Sequence, residues 1–191
     1  GAGAAPRKAR GAVVEGEERE QIATARGVAP EEAALALVAL HATSIVSFNM
    51  SMDDIEFLMR QPWMMTCSDG ATYLPGEGKP HPRGHGAFTR KLTTFVRERR
   101  TITLAQALHS MTGLPADVCT IAGRGVIAEG AHADIVVFDP AALRDEATYQ
   151  DPQRHATGMS WVLVNGTPAI DDGRPTQALA GVSLRREARR S

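Results

Sequence analysis

Along the first half of the chain apolar residues recur at helical spacing, and along the second half they cluster in short β-branched runs. Glu15 to Arg26 reads as a charged helix with few apolar positions, broken at Gly27. Pro30 opens a second helix through Leu40, with Glu31 and Glu32 suiting its N-terminus and Leu35, Leu37, Val38 and Leu40 spaced to face a core. Ser44 to Phe48 has the β-branched and aromatic texture of a strand. Ser51 then caps a helix from Asp53 to Arg60, with Ile55, Leu58 and Met59 on one face. Pro62 ends that helix, and Trp63 to Ser68 reads as a short buried strand that stops at Asp69-Gly70. Helix, strand, helix, strand is the order of a βαβ unit in a parallel sheet.

The loop from Ala71 to Gly86 is rich in Gly and Pro and carries His81, Arg83 and His85. A loop of that length in a compact domain serves binding or is disordered. Ala87 to Arg100 is an amphipathic helix with Phe88, Leu92, Phe95 and Val96 inward, and Arg90, Lys91, Arg97, Arg99 and Arg100 on or near the solvent side. Thr103 caps a helix over Leu104 to Met111. Leu114 to Ile121 forms another, with Cys119 buried as a small hydrophobe.

From Gly123 the pattern changes. Gly125 to Ala128 and Ala133 to Pro140 read as strands around a Glu129-Gly130 turn. Trp161 to Ile170 is a hairpin whose Asn165-Gly166 suits a type I′ turn. Leu143 to Tyr149 is a short helix or turn, and Ala178 to Arg185 a weak edge segment. The expected division is a disordered tail over 1–14, an α/β region over 15–122, a β-subdomain over 123–185 and a basic tail over 186–191.

Composition narrows the function classes. A net charge of -1 over 191 residues offers no general attraction to nucleic acid or anionic membrane. No apolar run is long enough to span a bilayer. Two cysteines make no disulfide framework, so a cytoplasmic setting is expected. Read from the residues alone, Asp69 is either a turn residue before Gly70 or a carboxylate at the catalytic, C-terminal end of a parallel strand.

A resemblance bears on that choice. Ser68-Asp69-Gly70, His81-Pro82-Arg83, Met111-Thr112-Gly113-Leu114-Pro115-Ala116 and the run from Gly123 to Asp139 closely resemble the C-terminal part of N-acyl-D-amino-acid deacylases, or D-aminoacylases. These are metal-dependent hydrolases of the amidohydrolase superfamily. The resemblance implies the last two βα units of a (β/α)8 barrel, with Ser44–Phe48 as the seventh strand and Trp63–Ser68 as the eighth. A small β-sandwich subdomain follows from Gly125 onward.

It also implies zinc-dependent hydrolysis of the amide bond of N-acyl-D-amino acids in the intact protein. Asp69 would be the catalytic carboxylate, taking a proton from the zinc-bound water and returning it to the leaving amine. Asp69 is also a candidate metal ligand. Arg83 is a candidate for the substrate carboxylate, His81 for substrate contact or loop ordering, and Met50 for the side-chain pocket.

The family's other metal ligands lie on earlier strands, and there is no His-x-His pair in this sequence. The chain therefore reads as a C-terminal fragment, with no zinc retained and no activity when isolated. Its apolar faces would be met by self-association or by a complementing N-terminal subunit. The alternatives are a non-catalytic subunit of a split enzyme and a cyclic-amide hydrolase of the same superfamily.

Overall fold

The computed structural model describes residues 19–39, 50–71, 73–74 and 80–185. The expected strand Ser44–Phe48, the two tails and Leu40 lie outside them. The described residues form an α/β chain, helical in its first part and ending in an antiparallel sheet.

Helices α1 (Arg19–Arg26) and α2 (Pro30–Val38) pack as a hairpin. Ile22, Ala23 and Ala33 are buried between them, flanked by Val28 and Leu37. Small residues at the contact let the two backbones approach closely. Leu35 and Val38 were expected to face a core, yet they are 72% and 70% exposed. The face of α2 that packs on α1 is set by Ala33 and Leu37, and nothing among the described residues covers the other. Helix α3 (Met52–Met59) carries Glu56, which holds Arg60 on its own helix and Arg99 across the chain. Those two arginines keep the Glu56 carboxyl below its usual range, the Arg99 bond contributing most.

Trp63–Ser68 is not a strand. Among the described residues no partner strand lies beside it, and Trp63 is 62% exposed. A backbone bond from the Thr66 amide to the Ser110 carbonyl at 2.9 Å fastens the segment to the helices.

The following loop is shorter than expected, because α4 begins at Arg83 and runs to Arg90. It continues without a break as a π-helix over Lys91–Glu98. Wider turns rotate the later side chains relative to a 3.6-residue pattern. Phe95 is buried as expected, but Phe88 is exposed and Lys91 is buried at 6% exposure, the reverse of the helical-wheel reading.

Thr103 caps α5 (Leu104–Met111) with a reciprocal capping box to Gln106. Helix α6 (Gly113–Cys119) follows, and it leaves Cys119 exposed rather than buried. Val118 beside Cys119 is also more than half exposed, and the two line an open cleft with Ile121 and Leu184.

The expected strand Gly125–Ala128 is instead a bend followed by irregular chain, with Ile127 89% exposed. Gly125 sits at φ +77, a left-handed conformation outside the strand region, with its Cα packed against the Thr112 carbonyl. Four strands build one antiparallel sheet in the order β1 (Ile135–Phe138), β2 (Met159–Val164), β3 (Thr167–Asp171), β4 (Arg174–Pro175). The β2–β3 hairpin turns through Asn165 and Gly166 at φ 49 and 79, as the Asn-Gly pair predicts.

Asp134 anchors that turn. It accepts the Asn165 amide at 2.8 Å and pairs with Arg124, which also reaches the Asn165 side chain. The amide bond first, and Arg124 after it, hold the Asp134 carboxyl below its usual range. The Gly-Arg-Gly and Ala-Asp-Ile-Val motifs are thus joined by one structural network. Leu143–Tyr149 is irregular, meeting the sheet side through an Arg144–Thr157 bridge, and 178–185 forms no strand. Arg97 fastens this half to the π-helix by donating to the Pro140 and Leu143 carbonyls at 3.0 and 2.8 Å.

Candidate active site

Asp69 closes the segment that Thr66 fastens to α5. Its backbone is left-handed, with φ 46, a region Asp tolerates better than most residues. Two local bonds support the turn: the Asp69 amide donates to Cys67 Sγ and the Gly70 amide to Ser68 Oγ, each at 3.3 Å. Gly70 permits the next close approach, since a Cβ there would lie 2.6 Å from the Gly84 Cα.

Arg83, the first residue of α4, holds Asp69 twice. Its Nε donates to the Asp69 carbonyl at 2.9 Å, and its Nη2 meets Oδ2 at 2.8 Å. The Asp69 side chain remains 81% exposed, so it is oriented by one guanidinium and open to solvent on its other sides.

His81 stands at the entry to the same helix. Its Nδ1 accepts the Arg83 amide at 3.0 Å, and its Nε2 faces the Tyr149 hydroxyl at 3.4 Å, the rings meeting edge to face. An acceptor at Nδ1 requires the neutral ring with its proton on Nε2. Burial pushes the His81 pKa down, and Arg83 and Arg90 add to that. His81, Arg83, Arg90, Asp145 and Tyr149 line a pocket of about 160 Å³. Asp145 lies against Gly86, and burial raises its pKa.

The structure brings Asp69, Arg83 and His81 together at the start of α4. Met50 does not join them. It is 69% exposed ahead of α3 and lines no part of that pocket. His85 turns to His155, ring centroids 5.4 Å apart, with Nδ1 buried and unpartnered.

Zinc does not fit this set. No three His, Cys, Asp or Glu side chains among the described residues stand together to hold a metal ion, and the Asp69 carboxylate is directed at Arg83.

Sequence reasoning missed Tyr149 and Lys91. Tyr149 is 68 residues from His81, with no motif to join them. Lys91 sits below the Asp69 segment, donating to Thr66 Oγ1 at 2.7 Å and Ser110 Oγ at 2.8 Å. The one sign of it was a lysine at an i+3 position from the apolar Phe88 and four before Phe95.

Comparison with known proteins places this site in context. The amidohydrolase family profile matches residues 4–170. The N-acyl-D-aspartate deacylase of Alcaligenes xylosoxydans xylosoxydans is 39% identical over 155 residues, covering 78% of this chain and 30% of that protein. The D-aminoacylase of the same organism is 35% identical over 178 residues, 91% of this chain and 34% of the relative. The structure of N-acyl-D-glutamate deacylase from Bordetella bronchiseptica, complexed with zinc and a phosphonate mimic of the tetrahedral intermediate, is 41% identical. It superposes with a TM-score of 0.72 over 86% of this chain and 34% of its own. The chain thus spans about a third of the length of the relatives it matches. With a family match running through nearly all of it, and the Asp69, Arg83 and His81 constellation inside that match, the chain belongs to the amidohydrolase family.

Proposed function

We propose that this chain serves in the hydrolysis of N-acyl-D-amino acids to a carboxylate and a free D-amino acid, with Asp69 as its proton-transfer group. The observation that carries the reading is the Asp69 carboxylate itself. It is held in a left-handed turn by Arg83 and open to solvent, in a chain whose relatives include an N-acyl-D-aspartate deacylase and a D-aminoacylase. Amide hydrolysis needs a proton removed from the attacking water and one delivered to the leaving nitrogen, and a single mobile carboxylate can do both.

Zinc belongs to the intact assembly under this reading, where a Lewis acid would polarise the amide carbonyl. The described residues do not hold it, so residues beyond them must. The 15–122 region is the end of the barrel, 123–185 the β-subdomain, and a polypeptide supplying the earlier strands the partner. Leu35, Val38 and Trp63 are the faces it would cover.

Arg83 orients Asp69, and in the complex its guanidinium is the candidate for the substrate carboxylate. His81 orders the start of α4 beneath it. Met50 is the candidate for a side-chain pocket completed by the partner.

The complete gene product carrying these residues, loaded with zinc, should cleave N-acetyl-D-amino acids and leave the L-enantiomers intact. Turnover of a cyclic amide such as dihydroorotate in preference would overturn the substrate class. That control is apt because a dihydroorotase of Lactobacillus johnsonii matches 53 residues of this chain at 43% identity. No turnover of any amide would favour a non-catalytic subunit.

A further inference from the structure

We infer that Lys91 is a positioning residue, which fixes the segment leading to Asp69 through the hydroxyls of Thr66 and Ser110. The catalytic part of this inference rests on the role proposed for Asp69; the structural part does not.

Lys91 is 6% exposed, and the partners of its ammonium among the described residues are hydroxyls rather than carboxylates. Its Nζ donates to Thr66 Oγ1 at 2.7 Å and to Ser110 Oγ at 2.8 Å, and the two hydroxyls are 3.2 Å apart. The Ser110 hydroxyl in turn donates a hydrogen bond to the Ala107 carbonyl at 2.7 Å. The triangle lies where the Thr66 amide reaches the Ser110 carbonyl.

A buried amine with no counter-charge is costly, and burial here pushes its pKa down. An aliphatic side chain would fill the same space more cheaply, but it could not hold two hydroxyls at once. The helix also changes character at this residue, since the π-helical stretch begins at Lys91. π-Helical turns are frequent where a side chain must be redirected for function.

The geometry pairs Lys91 with Arg83. The two are eight residues apart on one continuous helical rod, about 12 Å along its axis at α-helical rise. Their targets, Thr66 and Asp69, are three residues apart, a reach of at most about 10 Å. The segment therefore runs along the rod in the opposite direction, tied at both ends by cations from the same helix. Arg83 sets the carboxylate, and Lys91 sets the approach to it.

The test compares Lys91→Met and Thr66→Val with the wild type in the complete zinc-loaded protein. Hydrogen exchange in the peptide covering 64–70 should quicken on the order of tenfold in Lys91→Met, with β1 to β3 unchanged. Turnover should fall ten- to a hundredfold at an unchanged KM, on the scale expected for a reacting group displaced by about 1 Å. Thr66→Val, which removes one acceptor and leaves the amine, should move both readouts the same way by less.

Unchanged exchange at 64–70 in both variants would overturn the inference. So would faster exchange spread equally over the sheet, or faster exchange at 64–70 with full turnover. A wild type without deacylase activity whose 64–70 exchange still depends on Lys91 would refute the proposed function and leave the tether standing.

Discussion

Replacing Arg83 with Met removes the guanidinium while keeping most of the apolar stem. Two interactions are lost: the ion pair to Asp69 Oδ2 at 2.8 Å and the bond to the Asp69 carbonyl at 2.9 Å. With Arg83 45% and Asp69 81% exposed, the ion pair contributes at most about 1 kcal/mol. The bond to the carbonyl adds about 1 kcal/mol. Against this stands the left-handed backbone of Asp69, which costs about 1 kcal/mol or more in a non-glycine residue. The loss of about 1–2 kcal/mol of restraint is enough to depopulate the oriented conformer. It corresponds to a fall in turnover of about five- to thirtyfold.

Steady-state kinetics on N-acetyl-D-amino acids, with circular dichroism as a control for folding, reads this directly. A purely orienting Arg83 lowers kcat and leaves KM alone. A rise in KM with kcat preserved would show that the guanidinium serves the substrate carboxylate instead. A variant with unaltered kinetics would refute both roles.

Three further outcomes are expected. Because the folded-state pKa of His81 lies below the ordinary value of 6.5, its neutral form contributes stability that is complete above that value and lost as pH falls through the folded pKa. His81→Gln should flatten the pH dependence of the melting temperature in that window and nowhere else. Gly125→Ala puts a Cβ 2.6 Å from the Thr112 carbonyl oxygen at φ +77, so urea denaturation should show a loss of about 2–4 kcal/mol. Both thiols are exposed, so a thiol reagent should label Cys67 and Cys119 in the native chain without denaturant; protection of Cys119 would contradict the packing of α6.

Features set by local chemistry were legible in the sequence. Thr103 with Gln106 closes its capping box, Asn165-Gly166 turns the hairpin, and Pro30 starts its helix. Each depends on residues within a few positions of one another. Features set by distant partners were not. Trp63–Ser68 has the composition of a strand, but a strand exists only beside another. Leu35 and Val38 have core spacing, yet which face of a helix is buried depends on what meets it. Lys91 reads as one of the solvated cations of its helix, although its spacing from Phe88 and Phe95 puts it beside the apolar face. Two hydroxyls, 19 and 25 residues away, receive its ammonium inside.

The candidate site divides in the same way. Asp69, Arg83 and His81 came from short motifs, and their convergence followed from α4 starting at Arg83. The Tyr149 contact required the fold.

The role of Asp69 is tested most directly by Asp69→Asn in the complete zinc-loaded protein. Asn tolerates the same left-handed backbone, and a side chain 81% exposed has little packing to lose, so the fold and melting temperature should be kept. An amide cannot take up the proton, so turnover of N-acetyl-D-amino acids should drop by about two to four orders of magnitude. A variant that stays within about threefold of the wild type would show that the proton travels by another group.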